Sequence, residues 1–356
     1  RNFYDPNRTL ASSEHPEDAL LSWLDSMRQQ PLDLPHIGAI ATRQLVAMEL
    51  THIGVITPEN TQLHSDWLGL RPEKIEQVTE AARNYAEQTA RFCLSAVSHI
   101  RHQHDLDTRD ASDITLSAAV LSANAHRGQP RVVGNRPYYT HPRAVALLIG
   151  ASYRSIFDED GSLTLPLHEF QSLLHDGLEN IIPKDGSSFL AAQNIIASPL
   201  VLSEVLRRLE VDNDTARRKA LGILVLTKPV GIDGTMKYDI HTDGFENHPD
   251  ESVTKISDNQ HNYRIDPKLP DPYSHEKNLK LDKKKEEYRQ SQQKLLRFYS
   301  MSDQITGKDW LRHQLFAARI TKLGPDDLEN AMRHTKWSQI PPNQLIEYFE
   351  REQHAA

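Results

Sequence analysis

Through most of the 356-residue chain, apolar positions return every three or four residues, and no run of strict alternation interrupts them. That period is the mark of helices that bury one face. Residues 14–28 (EHPEDALLSWLDSMR) put Ala19, Leu20, Trp23 and Leu24 on one side, with Pro16 at the start, where its missing N–H costs little. Residues 72–104 form one long stripe through Ile75, Val78, Ala82, Tyr85 and Phe92. Ser112 is placed to cap the next helix, whose apolar set includes Ile114, Leu116, Val120 and Leu121. The same spacing predicts helices over 141–153, 166–181, 188–196, 199–210, 213–227, 276–300, 308–323 and 326–335, and near 342–352. The fold class it predicts is all-α. Two stretches break the pattern. Residues 1–12 are polar, and residues 229–275, from PVGIDGTMKYD to KLPDPYS, are rich in Gly, Pro, Asp, Asn and His. A loop of that length inside a domain reads as a lid, an insertion or a flexible segment.

Composition narrows the function classes. The chain is 38% hydrophobic and 25% charged, with a net charge of −8, which offers no footprint for a long nucleic acid. A small phosphorylated nucleotide remains a suitable partner, because a local basic pocket can sit in an acidic surface. No apolar run reaches the roughly 18–20 residues of a membrane-spanning helix. The single cysteine, Cys93, has no internal partner, which suits a reducing, cytoplasmic compartment. The chain starts at Arg1, which leaves a removed targeting segment open.

Candidate chemistry centres on LLHDGLEN, residues 173–180, where His175 and Asp176 stand at the edge of an apolar helix face. On a continued helix, Glu179 shares their side. Groups of this kind are costly to bury unless something, such as a metal ion, compensates them. His141 opens an earlier helix just before Pro142, and Asp326 opens a later one after Gly324-Pro325, with Asn330 one turn on. His141, His175, Asp176 and Asp326 together offer two nitrogens and two oxygens, a set suited to Mn²⁺, Fe²⁺ or Zn²⁺. Glu179 would hold or deprotonate a water there. Other histidine- and acid-rich stretches read as surface. HTDGFENHPDE at 241–251 falls in the irregular region and reads as a solvated loop. FDEDGSLTLPLHEF at 157–170 is no EF-hand, since Ile156 and Leu167 would fill its first and last ligand positions.

The block His126 to Ala146, read as H-x-G-Q-x-R…G…P-Y-x-x-H-P-x-x-V-A, resembles the start of the hydrolase domain of RelA/SpoT-type alarmone enzymes, members of the HD-domain phosphohydrolases. LLHDGLEN is similar to that family's L-L-H-D-x-x-E-D segment, and KLGPDDLENA to its K-L-A-D-x-x-x-N segment. The resemblance, which covers about 115–230 and 290–335, implies an all-α HD-domain bundle over residues 113–356, interrupted by the insertion 229–275. Residues 1–112 lie outside it as a helical region of unknown role, open to bracing the core or recruiting a protein partner. It implies Mn²⁺ held by His141, His175, Asp176 and Asp326, with Glu179 and Asn330 serving the attacking water. Arg131 and Lys228 would bind substrate, although a helix-terminal lysine at 228 also complements the dipole. The implied reaction removes the 3′-pyrophosphate of (p)ppGpp; an animal branch of the family also removes the 2′-phosphate of NADPH. Asn180 stands where the family has a second acid, and Val132-Val133 where it has basic and small polar residues. These departures admit other phosphorylated nucleotides as substrate, or a degenerate HD module that senses nucleotide or binds protein.

Overall fold

The computed structural model describes residues 75–131, 136–157, 164–177, 195–226, 242, 245, 248–265, 274–301 and 307–355. The helices expected at 14–28 and over most of 188–196 lie outside this set, as does most of the region 1–112. The described residues are all-α, with a lone bridge between Pro130 and Pro137 as their β pairing.

The first helix, α1 (Ile75–His104), buries Tyr85, Ala86, Thr89, Ala90, Cys93, Ala96, Val97 and Ile100, a stripe at helical spacing. Arg101 closes its end, donating to the carbonyls of Asp107 at 2.9 Å and Ala111 at 2.6 Å, which the turn would otherwise leave bare. Helix α2 (Asp113–Ala125) begins at Ser112, whose hydroxyl accepts from the Thr115 amide. Every residue from Ile114 to Ala125 is buried, so α2 runs through the centre, flanked by α1, by α4 (Thr164–Leu174) and by α11 (Pro342–Ala355). Helix α3 (Thr140–Phe157) packs on α4, and α5 (Pro199–Arg208) and α6 (Asn213–Leu226) pack on each other, with α5 also against α1. Helix α8 (His275–Met301) packs on α9 (Gly307–Ile320), and α9 and α10 (Pro325–His334) each pack on α3.

One element lies where irregular chain was expected. Residues Pro249–Gln260 form α7, which continues through a π-helical turn, His261–Ile265. All ten residues from Glu251 to Gln260 are buried, against α3, α4, α6 and α8. Few of them are apolar. Their polar groups find partners instead: Thr254 with Ser172, Asn259 with Ser291, and Gln260 with Gln292 and the Leu323 carbonyl. Burial of polar groups is tolerated when each is hydrogen-bonded in this way. The cluster 241–251 is likewise not a solvated loop at its end. Asp250 pairs with Lys219 at 2.8 Å, and buried Glu251 accepts from Gln171 at 3.1 Å. Among the described residues, no helix is long and apolar enough to cross a membrane.

Candidate metal centre

Three helices deliver the site. Helix α3 starts with Thr140 bonded back to the Pro137 carbonyl, which sets His141 in its first turn, facing inward. Helix α4 stops at Leu174, earlier than the expected 181, and His175 to Gly177 form a turn. Two contacts explain the stop. His175 Nδ1 lies 2.7 Å from the Ser172 carbonyl, satisfying an end-of-helix acceptor. A side chain at Gly177 would come within 2.8 Å of the Ala197 Cβ, so the chain turns where only glycine fits. The third contributor is α7, which supplies Asp258.

The donor atoms converge. His141 Nε2 lies 3.1 Å from Asp258 Oδ1 and 3.3 Å from Asp176 Oδ2. His175 Nε2 lies 3.2 Å from Asp176 Oδ2 and 3.7 Å from Asp258 Oδ1. All four residues are buried. Ligands at roughly 2.1 Å around a tetrahedral ion stand about 3.4 Å apart, so these spacings suit a shared cation. The group His141, His175 and Asp258 could hold a metal ion, and Asp176 Oδ2 borders it. His175 Nε2 strengthens the fit: it is buried facing two carboxylate oxygens without a well-directed hydrogen bond to either, while its Nδ1 is already engaged.

Outer partners fix most of these donors. Tyr138 donates to Asp176 Oδ2 at 2.8 Å while its ring lies on His126, centroids 4.7 Å apart. His126 in turn meets Gln129. Lys255, with 1% of its side chain exposed, donates to Asp258 Oδ2 at 2.6 Å. Asn262 donates to Asp258 Oδ1 and accepts from Arg131 at 3.2 Å. His141 Nδ1 meets His261 Nδ1 at 2.9 Å.

Charge follows this arrangement. Burial works against ionising Asp176, but His175 and His141 outweigh it and hold the carboxyl well below its usual range. For Asp258, burial is likewise outweighed, here by Lys255, His141 and His175. Burial would also lower His175, yet Asp176 and Asp258 push it up to about 10. The centre therefore carries two ionised carboxylates beside an imidazole whose protonated form they favour. His261 is held well below the usual imidazole value by burial, then by His141 and Arg131. Burial keeps His126 down to about 4.

The structure brings together His141, His175 and Asp176 from the expected set, and it sets Arg131 beside the group through Asn262. It does not bring Asp326. That residue and Asn330 are exposed on α10, whose residues are all outside the buried core. Asp258 occupies the fourth position, with Asn262 one turn later as Asn330 was expected to be. Glu179, Asn180, Lys228, Val132 and Val133 lie outside the described residues. The residue that sequence reasoning missed did carry a signal. Residues 255–262 read KISDNQHN, which has Lys, Asp and Asn at the spacing of K-L-A-D-x-x-x-N, whereas KLGPDDLEN has an extra residue before its aspartate. No family model, curated protein or solved structure matches the chain.

Proposed function

We propose that the chain is a divalent-metal-dependent phosphohydrolase of the HD type acting on a small nucleotide, with the 3′-pyrophosphate of (p)ppGpp as its substrate group and Mn²⁺ as its ion. The observation that carries this reading is the convergence of His141, His175, Asp176 and Asp258, with the buried Nε2 of His175 facing the carboxylates and making no well-directed hydrogen bond. Those four residues would hold the ion, which supplies a lowered water pKa and neutralises charge on a phosphoryl oxygen.

The chain's own groups do the rest. Asp176 and Asp258 stay ionised, and Tyr138 and Lys255 keep them oriented. Asn262 links Asp258 to Arg131, whose guanidinium is suited to pair with phosphate or stack on a base. Glu179, four residues after His175 in the sequence, is the residue to which the resemblance assigns the attacking water, and it would accept that water's proton. Residues 255–262 add the third motif of the resemblance at its proper spacing, which the 322–330 segment lacked.

The test is Mn²⁺-dependent release of pyrophosphate from ppGpp by the full chain, with Asp176→Ala as control. Release that is lost in the variant supports the reading. Turnover of NADPH instead of ppGpp would keep the hydrolase and replace its substrate. An ion bound without turnover of either would point to the nucleotide-sensing module that Asn180 suggests. A wild-type chain that binds no divalent ion would overturn the proposal.

A further inference from the structure

Resting on the metal-site reading above, we propose that His261 is a positioning residue that sets the tautomer of His141 and so presents its Nε2 as a ligand. His141 Nε2 faces the carboxylates of Asp258 and Asp176, and the opposite ring nitrogen, Nδ1, lies 2.9 Å from Nδ1 of His261. Two imidazole nitrogens at that distance share one hydrogen. For Nε2 of His141 to offer a lone pair to a cation, its Nδ1 must carry the hydrogen and donate it. His261 Nδ1 is then the acceptor, and its own hydrogen sits on Nε2.

The fold holds this pair rigidly. His261 is 4% exposed, and its ring stands 4.8 Å from that of His141. It opens the π-helical turn His261–Ile265, three residues after Asp258, so one short segment carries a candidate ligand and the partner that orients another. Asn262, the next residue, reaches back to Asp258. Short π-helical turns cluster at functional sites. His175 needs no equivalent from elsewhere, because the Ser172 carbonyl fixes its Nδ1. Each histidine therefore has an outer partner that leaves Nε2 for the ion, a backbone carbonyl in one case and a second imidazole in the other.

Two measurements test this. Mn²⁺ affinity by calorimetry is compared among the full-length wild type, His261→Leu and His261→Asn. Leucine removes the acceptor, while asparagine returns an acceptor oxygen near the place of Nδ1. We expect a loss of about 10- to 100-fold for His261→Leu, the usual effect of removing such a partner, and recovery to within a few-fold for His261→Asn. Equal affinity of the leucine variant and the wild type overturns the role of His261. Equal losses in both variants also overturn it, since packing alone would then explain them. Should His261→Leu not fold, ¹⁵N-histidine NMR of the Zn²⁺-loaded wild type decides: a hydrogen on His141 Nδ1 coupled through the hydrogen bond to an unprotonated His261 Nδ1 supports the role, and a hydrogen on His261 Nδ1, or no such coupling, ends it. Failure of the wild type to bind either ion removes the metal centre itself, an outcome distinct from all of these.

Discussion

Asp258 has two tasks that no other residue of the centre combines. Its Oδ1 faces both histidines, and its Oδ2 accepts from Lys255, a lysine buried almost completely. Replacing it with asparagine removes the charge of a candidate ligand and one member of a buried ion pair. Removing one partner of such a pair costs about 3–5 kcal/mol. Asp326 is exposed on α10, away from the converging donors, and its replacement should cost almost nothing. Asp258→Asn should therefore lower the unfolding free energy by several kcal/mol and abolish Mn²⁺ binding, with Asp326→Asn matching the wild type in both. Calorimetric titration with Mn²⁺ and urea unfolding of the two variants check this. Loss of binding in Asp326→Asn, with Asp258→Asn unaffected, would restore the ligand set read from the sequence.

The helix that carries Asp258 shows why part of the fold was legible and part was not. Helices α1, α3, α5, α6, α8 and α11 bury apolar stripes at helical spacing, and their positions follow from that spacing. In α7, the buried Glu251, Thr254, Asp258, Asn259 and Gln260 pair with partners far away in the chain, while Ser252, Lys255 and Ser257 pair within the local segment. Hydrophobic periodicity has nothing to report there, because the signal lies in partners that only the folded chain brings near. His141, His175 and Asp176 were readable because they stand at the ends of apolar helices; Asp258 was masked by its polar neighbours. The packing of α7 gives its own prediction. A Cβ on Gly222 of α6 would come 2.2 Å from Glu251 Oε1 and 2.4 Å from Gln171 Nε2, two side chains held by their mutual hydrogen bond. Such overpacking typically costs about 1–3 kcal/mol, so Gly222→Ala should unfold at lower urea than the wild type despite alanine's better helix propensity. A variant at least as stable would show that α6 and α7 separate easily.

Across the whole molecule, the centre is built on buried histidines, and stability should depend on pH through them. His168 of α4 is the one best separated from the proposed metal site. It is 2% exposed and its ring lies 5.2 Å from that of Tyr153. Burial, joined by Lys219 and His313 and opposed by Asp250, keeps its imidazole down to about 3. In the unfolded chain it titrates near 6.5. Between these values the unfolded state binds a proton that the folded state refuses, so stability falls as pH falls. From pH 7 to pH 5 this one residue should take away roughly 2 kcal/mol. His126, held down to about 4, acts with the same sign. His175, pushed up to about 10, acts with the opposite sign, adding stability as pH falls and little more below about 6.5. Asp176 and Asp258 contribute little in this window, being ionised in both states until pH drops toward about 3.9. Because these contributions oppose one another, the informative quantity is a difference between proteins. Urea unfolding of the wild type and His168→Gln at pH 7 and pH 5, both without added metal, should show the wild type losing about 2 kcal/mol more. Equal losses would mean that the folded protein lets His168 take its proton at pH 5, and that the packing between α4 and α6 admits water.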